Sequence, residues 1–231
     1  MARRTKEEAL ATRSHILDSA ERLFEERGVS RTSLHDIAQA ADLTRGAIYW
    51  HFDNKADLFN AMMERVTLPM EKALQASADP GLGDPVAAIR RNFLDPLRTT
   101  VADPQVRRVF EIALHKVEHV GEMTAVRDRR LAIRNECLAD VERGLKRAMR
   151  LGLLNRRISA RTAALGMQAM IEGLIQSWML DPQAFDLVRA GEQIFDSYLA
   201  GLAPVAADRG ATPKTAAVRR PRRAVSPPSR R

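Results

Sequence analysis

The sequence predicts an all-α chain of about nine helices, and three observations carry that prediction. Apolar residues recur at helical spacing through most of the 231 residues, and no stretch alternates as a half-buried strand would. Capping residues stand where the apolar stripes begin, at Ser33, Thr44, Asn54, Asp84, Asp103 and Ser159. Glycine or Asp-Pro steps stand where stripes stop, at Gly28, Gly152 and Asp181-Pro182.

Ile16, Leu17, Ala20, Leu23 and Phe24 form one face of a first helix, which Gly28 ends. A second helix starts at Thr32 or Ser33, where Ser33 and Asp36 make a variant capping box, and buries Leu34, Ile37, Ala38 and Ala41. After a turn at Asp42 and Leu43, Thr44 caps a short third helix. Asn54 with Asp57 opens a fourth, which runs to about Pro69 or through a kink there. Asp84-Pro85 and Asp103-Pro104 each set a capping Asp before a proline at the first helical position. Pro96 removes one hydrogen bond from the first of these two helices and predicts a bend near Asn92. Met123 to Arg150 reads as one long helix ending at Gly152. Ser159 opens the next, through Ile171, Leu174, Ile175 and Trp178, and a last helix spans roughly Asp186 to Leu202. The pattern divides the chain into a three-helix unit (1–53), a larger helical domain (54–202) and a tail (203–231). The tail is rich in Ala, Pro, Arg and Ser and is expected to be disordered.

Hydrophobic residues at 45% and charged residues at 29% are ordinary for a soluble globular protein. Cys137 is the one cysteine, so neither a disulfide framework nor a Cys-based zinc site is suggested. The segment "MARRTKEEALATR" lacks the apolar core of a secretory signal, and apolar runs break well before the ~18 residues a membrane span needs. A cytoplasmic protein with no membrane contact is expected. The formal charge is +8, yet the tail holds eight basic side chains against Asp208 alone, so it carries +7 of the total. The high basicity therefore does not by itself make the folded part a nucleic-acid binder. Residues 1–60 even hold nine basic and ten acidic side chains, so any anion binding there depends on local placement of Arg3, Arg4, Lys6, Arg13, Arg45 and Lys55. No P-loop, nucleophile elbow, HExxH or GxGxxG occurs, and "GLGDP" at Gly81 belongs to a loop, so neither an enzyme nor a cofactor is expected.

The third helix, within "LTRGAIYWHF", is built against its own stability. Gly46 costs roughly 1 kcal/mol against Ala in a helix interior, and Tyr49, Trp50 and Phe52 crowd the following turn. With Ile48 pointing inward, Thr44 and Phe52 lie within about 40° of it, while Gly46 and Trp50 point away. Such a face suits close approach to another body. A helix–turn–helix whose second member enters the major groove of DNA supplies one. Gly46 and Ala47 then permit approach, Thr44, Tyr49 and His51 reach phosphate oxygens, and Arg45 is equipped to read guanine. Lys55 adds a point charge at the start of the next helix. Phe52 is expected in the core, and Trp50 either lies over the sugar–phosphate backbone or covers the domain edge.

The stretch from Ile16 to Phe59, with the series Gly46, Tyr49 or Trp50, His51, Phe52 and Lys55, resembles the TetR family of bacterial transcriptional regulators. Within it, "TRGAIYWHF" after "MARRTKEEA" is most similar to AcrR-like repressors of multidrug efflux pumps. The resemblance implies a homodimeric repressor that binds a palindromic operator in double-stranded DNA and is released by a small lipophilic, drug-like or aromatic effector. It implies that Thr32 and Ser33 join the DNA-contacting set named above. It places an effector cavity among Asn92, Phe93, Pro96, Phe110, Leu114, Cys137, Val141, Met167, Gln168, Ile171, Glu172 and Ile175. It also implies that the last two helices pair with those of a second subunit through Leu174, Trp178, Phe195 and Tyr198, unless these only fill the core of one chain.

Glu172, an acid on an apolar face, either recognises a cationic effector or pairs with an arginine. His115 and His119, with Glu111, have a spacing that could hold a metal but read better as a polar helix end, and no metal is expected. Cys137 is either a redox sensor or a small buried hydrophobe. Two other functions fit the same sequence: a TetR-type regulator of a metabolic or lipid pathway, and a non-specific architectural DNA-binding protein that uses its basic tail.

Overall fold

Most of the helices begin where a short polar side chain takes up exposed backbone N–H groups, and the described residues (6–77, 83–118 and 120–204 of this computed structural model) contain no strand. In order they are α1 (Lys6–Arg27), α2 (Leu34–Ala40), α3 (Arg45–His51), α4 (Lys55–Ser77), α5 (Pro85–Ala102), α6 (Pro104–His115), α7 (Thr124–Arg150), α8 (Ala160–Leu180) and α9 (Leu187–Leu202). A single 3-10 turn, Gly121–Met123, leads into α7. Ser33, Thr44, Asp84, Asp103, Ser159 and Asp186 all accept N-terminal hydrogen bonds, and Pro85 and Pro104 stand in the first turns they favour. Gly28 ends α1 at φ 81°, a conformation that strains a side-chain-bearing residue. α4 continues through Pro69 to Ser77, and α5 continues through Pro96. The expected disorder of the tail concerns residues that, from 205 onward, lie outside the described ones, as do Arg3, Arg4, Gly81 and His119.

Two apolar cores hold these helices. The first gathers Ile16, Ala20 and Phe24 of α1, Ile37 of α2, Ile48 of α3 and Phe52. Packing does not stop at residue 53: Leu58, Phe59, Met62 and Val66 of α4, and Val106, Val109 and Ile112 of α6, belong to the same core. The second core joins α5, α7, α8 and α9, with Phe93 and Phe195 stacked at 4.3 Å between ring centroids. Phe110 packs against both cores, so α6 lies between them.

Charged groups tie α1 to α4 and α6 along one stripe. Glu21, its side chain only 3% exposed, pairs with Arg65 of α4, accepts a hydrogen bond from Gln105 Nε2 of α6 at 3.0 Å, and lies 3.9 Å from Arg108. Asp18 takes the other Arg65 nitrogen at 2.7 Å, and Glu25 takes Arg108 Nε at 3.0 Å. At the far end of α6, Val29 N donates to Lys116 O at 2.9 Å.

Gly191 is where α9 and α5 come closest: a Cβ there would stand 2.3 Å from Cδ1 of Leu97, itself fully buried. The gain in helix propensity from alanine is about 1 kcal/mol, and forcing a methyl into a filled core costs about 1–3 kcal/mol. Gly191→Ala should therefore lower the urea midpoint, with the slope of the transition unchanged.

Candidate nucleic-acid interface and apolar cavity

The surface at α2 and α3 is built from two caps and one anchor. Ser33 N donates to Asp36 Oδ2 at 2.8 Å, and Asp36 N donates back to Ser33 Oγ at 3.2 Å, closing the capping box. The chain then turns through Asp42 at φ 52°, with Leu43 N donating to Ala38 O at 2.9 Å. Thr44 Oγ1 accepts from Ala47 N at 3.2 Å and starts α3, whose inward side is Ile48, fully buried. Phe52 is buried too, beneath the Arg13 guanidinium at 4.8 Å from its ring centre.

Everything else on α3 faces out or sits at its edge. Arg45 lies 5.6 Å over the ring of Tyr49, and both side chains are exposed. Trp50 is 69% exposed and meets His51 edge-on at 4.6 Å, so it does not cover the domain edge. A Cβ at Gly46 would meet only Thr44 Oγ1, at 4.0 Å. The packing of the chain itself does not require a glycine here.

Two expected contact residues are placed differently. Thr32 is buried, its hydroxyl donating to Gly28 O at 2.8 Å, so it serves the turn after α1. Lys55 is turned inward: its side chain is 14% exposed, and its ammonium donates to Val29 O at 3.0 Å and Thr32 O at 3.2 Å, with Glu122 at 3.9 Å. Its charge stitches α4 to the α1–α2 turn rather than standing as an outward point charge, because two carbonyls converge there.

Between α4, α5, α6, α7 and α8 lies a two-lobed apolar cavity, of about 750 Å³ in the larger lobe and 330 Å³ in the smaller. Both volumes fall within the range of small-molecule sites. Asn92, Val141 and Met167 line the larger lobe, and Phe110, Leu114 and Ile175 the smaller. Pro96, Cys137, Gln168, Ile171 and Glu172 line both. Of the residues expected there, Phe93 is the exception: it points away to stack on Phe195 in the second core. Thr67 and Met70 of α4, Ile133 of α7, and Arg65 and Gln105 also line the cavity and escaped the sequence reading. The signal was present, since Met63, Val66, Thr67, Met70 and Leu74 fall on one helical stripe.

Glu172 has the arginine partner that was one of its two readings: Arg134 Nε stands 3.7 Å away, and Gln168 Nε2 donates to it at 3.1 Å. It remains about half-exposed, on the lining of both lobes. The Cys137 thiol is pushed up to about 11, first by burial and then by Glu71, Asp140 and Glu136, so at neutral pH it is protonated and a poor nucleophile. Among the described residues, no three His, Cys, Asp or Glu side chains come together as a metal site. No described helix is long and apolar enough to cross a membrane.

Trp178 and Phe195, expected at a subunit interface, are buried within the single chain, and Tyr198 donates to Ala163 O at 2.9 Å. Leu174 is half-buried against the second core. The outward faces of α8 and α9 carry other residues, among them Leu165, Ala169, Gly173, Leu180 and Ile194.

The Asp36 carboxyl is held below its ordinary value of 3.8, chiefly by the Ser33 hydroxyl and then by the Ser33 N–H. A lowered value means that the cap stabilises α2 fully above about pH 4 and loses this as the pH falls through the Asp36 value. In Ser33→Ala, NMR titration should show Asp36 moving back toward 3.8 and the acid-side loss of α2 diminishing.

Residues 16–62 match the family model for "Bacterial regulatory proteins, tetR family", and residues 84–204 match that for the "MAATS-type transcriptional repressor, C-terminal region". The chain is 44% identical over 193 residues to the HTH-type transcriptional regulator AcrR of Shigella flexneri, covering 81% of this chain and 87% of that protein. Its fold is similar to that of NalD, the secondary repressor of the MexAB-OprM multidrug efflux pump in Pseudomonas aeruginosa. The TM-score is 0.79 with 34% identity, over 86% of this chain and 98% of that one. SmeT, the repressor of the Stenotrophomonas maltophilia multidrug efflux pump SmeDEF, has been solved in complex with triclosan. That complex matches with a TM-score of 0.77 and 34% identity, over 84% of this chain and 92% of that one.

Proposed function

The chain belongs to the TetR family of bacterial transcriptional regulators, a family of DNA-binding proteins rather than enzymes, and we propose that it represses a multidrug efflux operon and is released by a lipophilic effector. The observation that carries this reading is the pairing of an outward α3 with an apolar two-lobed cavity on the far side of α4 and α6. Similarity to NalD and SmeT supports the efflux assignment, and the triclosan held by SmeT supports an aromatic, poorly soluble effector.

In this reading Thr44, Tyr49 and His51 hold phosphates, Gly46 and Ala47 let α3 close on the groove, and Arg45 reads a base edge. Ser33 and Trp50 contact the flanking backbone. The cavity residues named above receive the effector, with Glu172 and Gln168 as the polar groups between the lobes. A single reading helix covers too few base pairs for useful specificity, so two chains join through the outward faces of α8 and α9 and read a palindrome. Ala169 and Gly173 are small and exposed there, which allows close helix approach, and Leu165, Leu180 and Ile194 supply the apolar area. To take the population of the DNA-competent state from 99:1 to 1:99, the effector must favour the other state by about 5.5 kcal/mol.

Selection from a random duplex pool tests the DNA part: the bound sequences should converge on a palindrome. Non-specific binding that varies only with salt would overturn it. Triclosan binding, followed by operator titration at saturation, tests the effector part, and an unchanged operator affinity would sink it.

Gly46→Ala should stabilise the chain by about 0.5–1 kcal/mol in urea while weakening operator binding at least tenfold, because the added methyl enters open space only in the absence of DNA. Ala169→Arg should give a folded monomer by sedimentation, with operator affinity lower by at least about a hundredfold, since one head no longer recruits the other.

A further inference from the structure

We propose that Glu21 is the positioning residue that carries the state of the cavity into α1 and so into the reading head. The inference rests on the reading of the cavity as the effector site. α6 stands between the two: Phe110, Ala113 and Leu114 line the smaller lobe, while Val106, Val109 and Ile112 pack into the head core. These apolar contacts seat α6 by shape between the cavity and the head.

The grip on α6 is polar and lies at its two ends. At one end Gln105 and Arg108 reach Glu21 and Glu25 of α1; at the other Lys116 O accepts from Val29 N. Glu21 is the deepest of these groups, and its carboxylate also takes Arg65 of α4. Arg65 and Gln105 are at the same time part of the wall of the larger lobe. A displacement of either wall helix therefore acts on one buried carboxylate.

Such a carboxylate resists partial separation. Losing one partner leaves a charge uncompensated away from water, so α1 follows its partners instead of letting them go. Apolar packing transmits strain in every direction; the ionic contact adds a tie directed to one point on α1. Glu21 thus acts through α1, about six helical turns that also carry Ile16, Ala20 and Phe24 into the core beneath α2 and α3.

The test needs neither DNA nor effector, so its failure is separable from failure of the operator selection. Ile171→Trp, which fills the space between the lobes, stands in for an occupied cavity. Amide hydrogen exchange is followed across residues 16–27 and 45–51 in the full chain, with and without Ile171→Trp, in unaltered and Glu21→Gln backgrounds. Filling the cavity should change these rates by about fivefold or more when Glu21 is present and by less than about twofold in Glu21→Gln. Because each ratio is taken within one background, a general loss of stability does not mimic this result. Where Glu21→Gln does not fold, Gln105→Ala, which keeps the Glu21–Arg65 pair and removes the main tie to α6, is compared in the same way. Equal responses in both backgrounds, or no response with Glu21 in place, would overturn the proposal.

Discussion

The constraint on which the rest of this structure depends is that α4 and α6 each have two neighbours to satisfy at once. One face of α4 completes the core under α1, α2 and α3 through Leu58, Phe59 and Met62, and another walls the cavity through Thr67 and Met70. α6 does the same through Val109 and Ile112 on one side and Phe110 and Leu114 on the other. A three-helix head of this size buries little surface by itself, and these two helices supply the remainder of its core. The head is therefore held by the same helices that wall the cavity.

Stability is unevenly spent along the chain. Ile48 and the Thr44 cap hold α3 in place, and its outward residues add almost nothing to the fold: Gly46 contacts no other part of the chain closely, and Trp50 projects into solvent. A seven-residue helix with such a surface would not persist alone. It persists because α2 and the shared core of the head fix its inner face, which leaves its outer face exposed. The second core shows the opposite balance, with Phe93 on Phe195 and Gly191 against Leu97 filling the space between α5 and α9.

Charge follows the same division of labour. Most of the formal +8 belongs to residues beyond Leu202, while several acids and bases of the helical part pair with each other across helices. Lys55 illustrates the point: its position at the start of α4 suggests an anion site, yet three groups, Val29 O, Thr32 O and Glu122, surround its ammonium. Arg45 of α3, stacked over Tyr49, is turned outward instead.

The helix starts, the stripe of α1, the caps at Ser33 and Thr44 and the inward place of Ile48 and Phe52 were all legible in the sequence, because each is set within a few residues by capping chemistry or the 3.6-residue period. The motif from Gly46 to Lys55 likewise identified the family, and it combines an outward surface (Gly46, Tyr49, Trp50) with two inward groups (Phe52, Lys55). Most of the cavity was legible through the family resemblance. Phe93 was not, because helical periodicity says that a residue faces inward without saying which of two inner spaces it meets. The same ambiguity placed Trp178 and Phe195 at an interface when they fill one chain's core, and put Thr32 and Lys55 outside when the Gly28 carbonyl, four residues back, draws in the first and the more distant Val29 carbonyl the second. Glu21 is the clearest case: its partners lie 44, 84 and 87 residues away in the chain, so only the tertiary structure could bring Arg65, Gln105 and Arg108 to one carboxylate.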